Sequence, residues 1–172
     1  MKIYIGFSRP IKDKIGAKAI SWWINRPYSH VYVRFESQDP EIPSTVYHAA
    51  HGWVHFLDKE RFDKNNKTVV EYPIEVTPQQ RKKLLIKCMK LAFEKYSILE
   101  LVNLFLTDVL FRLGCTRVKF HDPRGYICSE LIAELLEAVF NVIWDKPKYL
   151  LHPGDIEDKL ASLVQFNNQP AT

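Results

Sequence analysis

Hydrophobic residues follow two periods along this chain, and the order of those periods limits the fold more than any other feature. Up to residue 76, most apolar stretches alternate with polar residues, which is the period of a half-buried β-strand. Beyond residue 77, apolar residues recur every three or four positions, which is the period of an amphipathic helix. Strands followed by helices are typical of α+β domains. The sequence therefore predicts an α+β fold in which a mostly antiparallel meander sheet packs against helices.

Turn and cap residues place the predicted elements. A first helix over 15–24 ends before Pro27, and Thr77, Pro78 and Gln80 predict a capped helix start whose helix runs to about Tyr96. A more apolar helix follows to about Gly114, and 118–120 is expected to be a short extended piece. The expected strands cover 2–8, 30–37, 45–50, 53–57 and 68–76, and the last two helices are expected from residue 128 and around 155–163.

Length and composition indicate one folded domain. The chain has 172 residues, of which 47% are hydrophobic and 26% are charged, and this excludes a disordered or fibrous protein. We expect a single domain over 1–164, with a helical insertion near 78–114 and a frayed tail over 165–172. The net charge of +4 is too small to indicate nucleic-acid binding, so no nucleic-acid partner is expected.

Targeting and membrane signals are weak. The first nine residues alternate like a strand and do not form the apolar core of a secretory signal. The most apolar stretch, 98–113, has 16 residues and carries charged side chains, which is short of the ~20 residues that span a bilayer. An odd number of cysteines, three, is typical of reduced thiols. We therefore expect a cytoplasmic protein, with peripheral membrane contact through 98–113 left open.

Cys128 begins the apolar stripe of the most regular helical segment. In 126–140 (YICSELIAELLEAVF), apolar residues recur on one helix face from Cys128 onwards. Pro123 and Gly125 lie just upstream, so Cys128 is expected in the first turn. Unpaired N–H groups and the positive end of the helix dipole favour a thiolate there. Cys128 is therefore a candidate nucleophile, although a cysteine on an apolar stripe is more often a core residue.

Two histidines are candidate partners of this thiol. His30 opens the second predicted strand, and histidine is the residue type that most often takes a proton from a nucleophile. His48, 18 positions later on the next strand, is placed to bond the other imidazole nitrogen and orient the ring. Both residues also fit ordinary structural roles. His51 and His55 accompany His48, but the strand and turn pattern around Gly52 argues against a metal site, and no metal is expected.

An acyl-transfer site also needs donors for a developing oxyanion. Tyr126 and the backbone N–H of Cys128 are the candidates next to the thiol. Tyr126 is equally typical of a packed aromatic residue. Glu130, in the same helical turn, is typical of an acidic residue favoured by the helix dipole.

Four segments together resemble the permuted papain-like cysteine hydrolases, a superfamily of bacterial and phage cell-wall amidases and peptidases and of lecithin:retinol acyltransferase relatives. The segments are IGAKAISWWINRPYSHVYVRF, VYHAAHG, YICSELIAELLE and HPGDIEDKL, and the resemblance covers about residues 2–160. It implies Cys128 as nucleophile, His30 as base and His48 as the orienting residue. Ser29, in the Ser-His-Val strand start, becomes a further candidate for binding the oxyanion or the substrate. The helix over 98–113 departs from the pattern and is interpreted as an insertion.

The resemblance implies a thiol hydrolase of phage or bacterial type that cleaves an amide bond through an acyl-enzyme. Its expected substrate is a small peptide, a peptidoglycan stem or another acyl compound, with no metal or organic cofactor. Two alternatives stay open. The first is a lipid-directed acyltransferase or thioesterase in which 98–113 borders an acyl chain. The second is a non-catalytic binding or effector module in which Cys128 is only a core thiol. The oligomeric state is not predicted.

Overall fold

A five-stranded antiparallel sheet and six α-helices make up the described part of the chain, which confirms the α+β class. The computed structural model describes residues 1–12, 14–37, 39, 41–50, 52–112 and 125–167. The strands are β1 (Lys2–Pro10), β2 (His30–Phe35), β3 (Thr45–Ala50), β4 (Trp53–Asp58) and β5 (Asn66–Glu75). The helices are α1 (Ile15–Trp23), α2 (Lys59–Asp63), α3 (Pro78–Leu91), α4 (Ile98–Arg112), α5 (Cys128–Phe140) and α6 (Pro153–Asn167), and a 3-10 helix covers Lys148–Leu150.

The strand order is β4-β3-β2-β1-β5, so the first four strands form the predicted meander. The position of β5 differs from a simple continuation of the meander, because β5 pairs with β1 at the opposite edge. The short helix α2, which the strand pattern did not predict, lies between β4 and β5 and contacts both strands as well as β3. The chain therefore crosses one face of the sheet before it returns beside β1.

The two faces of the sheet bury different numbers of side chains. The first face carries the main core, to which every second residue of β1 and β2 contributes: Ile3, Ile5, Phe7, Val31, Val33 and Phe35. The second face carries a small cluster of Tyr32, Val46 and Phe62, with Leu57 at its margin. The predicted separation of Val31, Val33 and Phe35 from the residues between them is thus confirmed.

The second face requires a glycine in β1. Gly6 pairs with Tyr32, and a Cβ at position 6 would lie 2.2 Å from a carbon of the Tyr32 ring. That ring is fully buried, and its hydroxyl group donates to Glu71 at 2.9 Å. Because the ring is buried and its hydroxyl group is hydrogen-bonded, it cannot move aside to make room for a Cβ.

The α3 helix begins as predicted and ends earlier than predicted. The Thr77 hydroxyl accepts from the Gln80 backbone N–H, and the Gln80 side chain accepts from the Thr77 N–H, which confirms the capping box. The helix ends at Leu91 and does not reach Tyr96, because Ala92 is extended and Phe93 has a left-handed φ of 69°.

The residues after α3 form a strap, here residues 93–97, that joins the sheet to the chain before α5. Val54 and Gly52 exchange backbone hydrogen bonds with Phe93, Glu94 and Tyr96 of the strap. On its other side, the Tyr126 N–H donates to the Lys95 carbonyl at 2.8 Å, and the Ser97 N–H donates to the Tyr126 carbonyl at 3.1 Å. The strap is therefore hydrogen-bonded both to the start of β4 and to Tyr126, which precedes α5.

The α5 helix is enclosed on most of its surface by β2, β3, α3, α6 and the 3-10 helix. Ser129, in its first turn, donates to the buried carbonyl of Leu151 at 2.6 Å and so holds the chain before α6. Eight of its residues are buried: Cys128, Ser129, Leu131, Ile132, Ala133, Leu135, Leu136 and Val139.

The helix expected over 98–113 is confirmed as α4, and α6 is longer than expected. The extended piece expected at 118–120 lies outside the described residues, as do Cys115 and the end of the predicted tail, 168–172. Among the helices that the structure describes, none is long and apolar enough to cross a bilayer.

Substitution of Gly6 by alanine is expected to lower the free energy of unfolding by about 1–3 kcal/mol, because the added methyl group overpacks against the Tyr32 ring. Gly16→Ala is the matched control, since a Cβ at position 16 of α1 has no heavy atom within 4 Å. The control should leave stability unchanged or raise it by up to about 1 kcal/mol. Urea unfolding measures both, and equal effects of the two substitutions would contradict the close approach of β1 to Tyr32.

Candidate functional site

Cys128 is the first residue of α5, as the sequence predicted. The residue before it, Ile127, is in an extended conformation and provides no side-chain cap, so the first N–H groups of the helix are open to other acceptors. The backbone N–H groups of Val31, Ser129 and Cys128 itself lie near the thiol and lower its pKa. The proximity of Val31 places the sulfur beside the first residues of β2. Only 5% of the Cys128 surface is exposed.

Burial and hydrogen bonding act on this thiol in opposite directions. Burial raises the pKa of Cys128, because a thiolate loses its hydration, and the three backbone N–H groups lower it by a smaller amount. The pKa of Cys128 is therefore above the ordinary thiol value. The expectation that the start of the helix would favour a thiolate is wrong in its net direction, because the helix end lies inside the core.

His30 and His48 lie in direct contact. The Nε2 atom of His30 is 3.1 Å from the Nδ1 atom of His48, and the rings meet edge to face with centroids 5.3 Å apart. One of these nitrogens donates a proton to the other, so the bond fixes the orientation of both rings. The pairing brings together the two histidines that the sequence proposed as base and orienting residue.

The surroundings of His48 hold its ring in one place. His48 is 3% exposed, and its ring packs against Phe62 of α2 at 5.3 Å and against His55, its cross-strand partner, at 4.6 Å. These contacts belong to the second face of the sheet. Phe62 is thus a supporting residue that sequence reasoning missed, because the strand pattern gave no sign of α2.

The histidine pair and the thiol approach the same end of β2 from different sides. His48 contacts the second face through Phe62, whereas Cys128 belongs to the main core on the first face. His30 is the first residue of β2 and Val31 is the second, so their side chains lie on opposite faces of the sheet. The thiol and the histidine pair therefore lie at the same end of β2, but on opposite faces of the sheet.

The two residues proposed for oxyanion or substrate binding are held by backbone bonds. Ser29 is buried, and its N–H donates to the Ser8 carbonyl at 3.1 Å. Tyr126 is partly buried, its backbone is paired with the strap, and burial raises the pKa of its hydroxyl group. Both residues flank the candidate site in the chain, one before His30 and one before Cys128.

Tyr96 is a neighbour of the thiol that the sequence did not indicate. It lies in the strap and pairs with Tyr126. Its pKa is raised, chiefly by burial and further by the nearby Cys128. The sequence pattern placed Tyr96 at the end of a helix, so no signal connected it to Cys128.

The histidines next to the site form no metal centre in the part of the chain that the structure describes. Within those residues, no group of three His, Cys, Asp or Glu side chains is arranged to hold a metal ion. Of the three histidines considered for such a site, His51 lies outside the described residues. Cys88, the other described cysteine, is a buried thiol on α3.

No protein-family model matches this sequence, and no curated protein is similar to it. The resemblance to permuted papain-like hydrolases therefore stays a prediction made from the motifs.

The raised pKa of Cys128 makes stability depend on pH. The unfolded thiol loses its proton near pH 8.5, whereas the folded thiol keeps it, so this contribution to stability is complete below that pH and is lost above it. In urea unfolding between pH 8 and pH 10, Cys128→Ala should flatten the decline in stability by up to about 1.4 kcal/mol per pH unit. Cys88→Ala should do the same, because burial also raises the Cys88 pKa. An unchanged slope in the Cys128 variant would contradict the buried, protonated thiol.

Proposed function

We propose that this protein is a cysteine hydrolase of the permuted papain-like type, in which Cys128, His30 and His48 cleave an amide bond through an acyl-enzyme. The observation that carries the proposal is the 3.1 Å contact between His30 Nε2 and His48 Nδ1 at the first residue of β2, the strand against which the Cys128 helix packs. A nucleophile, a base and a group that orients the base are the parts such a reaction needs.

The proposed reaction requires one of the two assignments of protons that the histidine contact allows. If His30 Nε2 carries the proton and donates it to His48 Nδ1, the lone pair of the His30 ring is on Nδ1. For that nitrogen to accept the proton of the Cys128 thiol, the His30 ring has to reach around the start of β2 to the first face of the sheet. The Nε2–H bond persists when His30 becomes an imidazolium, so His48 would stabilise the charged ring without taking a proton itself.

The raised pKa of Cys128 supports base-assisted attack by a neutral thiol over a preformed ion pair. The thiol proton passes to His30 as the sulfur bonds to the carbonyl carbon of the substrate. The tetrahedral intermediate collapses when His30 returns the proton to the leaving amine, which breaks the carbon–nitrogen bond and leaves a thioester on Cys128. Water attacks the thioester with His30 again as base, and the acid product and the free thiol are released.

The start of α5 offers donors for the oxyanion. The backbone N–H of Cys128 is in the first turn of α5 and has no helical acceptor. We infer that the same group stabilises the negative oxygen of the tetrahedral intermediate, with Tyr126 or Ser29 as the second donor. A peptide or peptidoglycan stem is the substrate that the motif resemblance favours.

A cavity beside α4 supports the second candidate function, a lipid-directed acyltransferase or thioesterase. The cavity has a volume of about 260 Å³ and is lined by the apolar side chains of Trp23, Leu104 and Leu150 together with polar residues, which are Thr107, Asp108, Lys146 and His152. Leu150 precedes Leu151, whose carbonyl binds Ser129 next to the nucleophile. An acyl chain in this cavity would lie close to the start of α5.

A generic acyl ester tests the shared first step. We expect p-nitrophenyl acetate to acetylate Cys128, as detected by mass spectrometry of the intact protein and its peptides. His30→Ala should slow acetylation about a hundredfold or more, the usual contribution of a general base. Cys128→Ala should abolish the adduct, and His48→Asn, which retains a hydrogen-bonding group, should keep more activity than His48→Ala.

A matched control separates catalysis from accidental reactivity. Cys88→Ala removes the other described cysteine and should keep the wild-type rate. Acetylation that is unaffected by His30→Ala, or absent from the folded wild-type protein, would favour a non-catalytic module. Release of peptide amines or of fatty acids from mixed substrates then distinguishes the amidase from the lipid-directed enzyme.

A further inference from the structure

The α1 helix has apolar residues on two sides and presents one of these sides to solvent. Ile15, Ala19 and Trp22 follow one another at four- and three-residue spacing on one helix face, and none of the residues of α1 is buried. Ile15 is 89% exposed and Trp22 is 78% exposed. An amphipathic helix of a globular protein normally turns such a stripe towards the core, so this orientation calls for a reason.

Contacts on the other side of α1 fix this orientation. The Trp23 indole N–H donates to an Asp108 carboxylate oxygen at 2.7 Å, and its ring meets Phe105 edge to face at 5.4 Å. Ile20 and Trp23 also pack against the main core. Because Trp23 is held against α4, its neighbour Trp22 is directed outwards.

The α4 helix continues the apolar surface. Val102, Phe105 and Leu106 are exposed on one side of α4, with the spacing of a single helix face. Phe105 touches Trp23, the residue after Trp22, so α4 lies beside α1 along the flank next to the exposed stripe. Together Ile15, Trp22, Val102, Phe105 and Leu106 form what is called here the two-helix surface.

Positive charge borders the two-helix surface. The sequence over 9–26 contains five basic residues and one acidic residue, Asp13. Lys14, the residue before α1, and Lys18, one turn into the helix, are exposed and lie along one edge of the α1 stripe. The first turn of α1 contains no acidic residue. Exposed aromatic and aliphatic side chains beside lysines are the composition of helices that lie in the interface of anionic membranes.

We propose that the two-helix surface docks the protein on membranes that contain anionic phospholipids, with Trp22 and Ile15 entering the interface and Lys14 and Lys18 meeting the headgroups. A second copy of this chain fits the surface less well, because an isologous dimer through α1 would bring the same lysines of both copies together. Anionic lipid removes that conflict, since its charge is complementary to the lysines.

The docking surface is connected to the candidate catalytic site by short contacts. The Trp23 ring lies 5.8 Å from the His152 ring, and His152 follows Leu151, whose carbonyl accepts the hydrogen bond from Ser129. A protein docked through α1 and α4 would therefore hold the start of α5 near the membrane. The docking proposal itself does not depend on catalysis, and an inactive protein would still bind.

Sedimentation with lipid vesicles tests the proposal on the full chain. The wild-type protein should bind phosphatidylcholine vesicles that contain phosphatidylglycerol more tightly than vesicles of phosphatidylcholine alone, and added salt should weaken the binding. Replacement of Lys14 and Lys18 by Gln should weaken binding about fivefold for each lysine. Ile15→Ser and Trp22→Ser should each weaken it about tenfold.

The chain offers matched controls for both kinds of substitution. Ile143 is 80% exposed and lies after α5, so Ile143→Ser repeats the chemistry of Ile15→Ser away from the two-helix surface. Lys82 and Lys83 are exposed on α3, so their change to Gln repeats the loss of charge. Control variants should bind vesicles as the wild type does. Failure of the wild-type protein to sediment with anionic vesicles, equal losses in the controls, or a wild-type dimer in light scattering that Ile15→Ser dissociates would overturn the proposal.

Discussion

Enclosure of α5 is the constraint on which the rest of the structure depends. The helix has eight buried residues and lies against strands on one side and against two helices and a 3-10 helix elsewhere. Each large apolar side chain buried in this way stabilises the fold by roughly 1.5–3 kcal/mol, so the helix cannot shift without large cost. Its first residue, Cys128, therefore keeps its place beside β2 even though Ile127 provides no side-chain cap.

That placement has an electrostatic consequence. A thiol at an exposed helix start would be acidified by the helix dipole, but Cys128 lies inside the core and its pKa is raised. A thiolate and an imidazolium in such a site would lose more hydration than backbone N–H groups replace. In the proposed reaction the charges would accordingly appear only as bonds change, with the His30–His48 contact limiting their cost.

The α1 and α5 helices show that apolar content alone does not decide burial. Both contain apolar residues at helical spacing, yet α5 is enclosed and α1 buries none of its residues. The difference comes from anchoring, because Trp23 binds Asp108 and Phe105 through one side of α1 and leaves Ile15 and Trp22 on the other. Specific contacts also decide packing on the second face of the sheet, where the absence of a side chain at Gly6 leaves room for the Tyr32 ring.

Local interactions account for what the sequence alone determined. Alternation predicted β3 at its observed bounds, helical spacing predicted α5 with Cys128 at its start, and Thr77 with Gln80 predicted the observed capping box. These features depend on residues a few positions apart, so they can be read along the chain.

Contacts between distant residues decided the rest. The place of β5 beside β1, the early end of α3 and the support of His48 by Phe62 depend on surfaces that meet only after folding. The 3.1 Å contact of His30 and His48 is of the same kind, since neither strand by itself sets the direction of both rings. The direction of the Cys128 pKa shift could not be predicted from the sequence either. The dipole of α5 is a local property, whereas desolvation of the thiol depends on everything that packs around it.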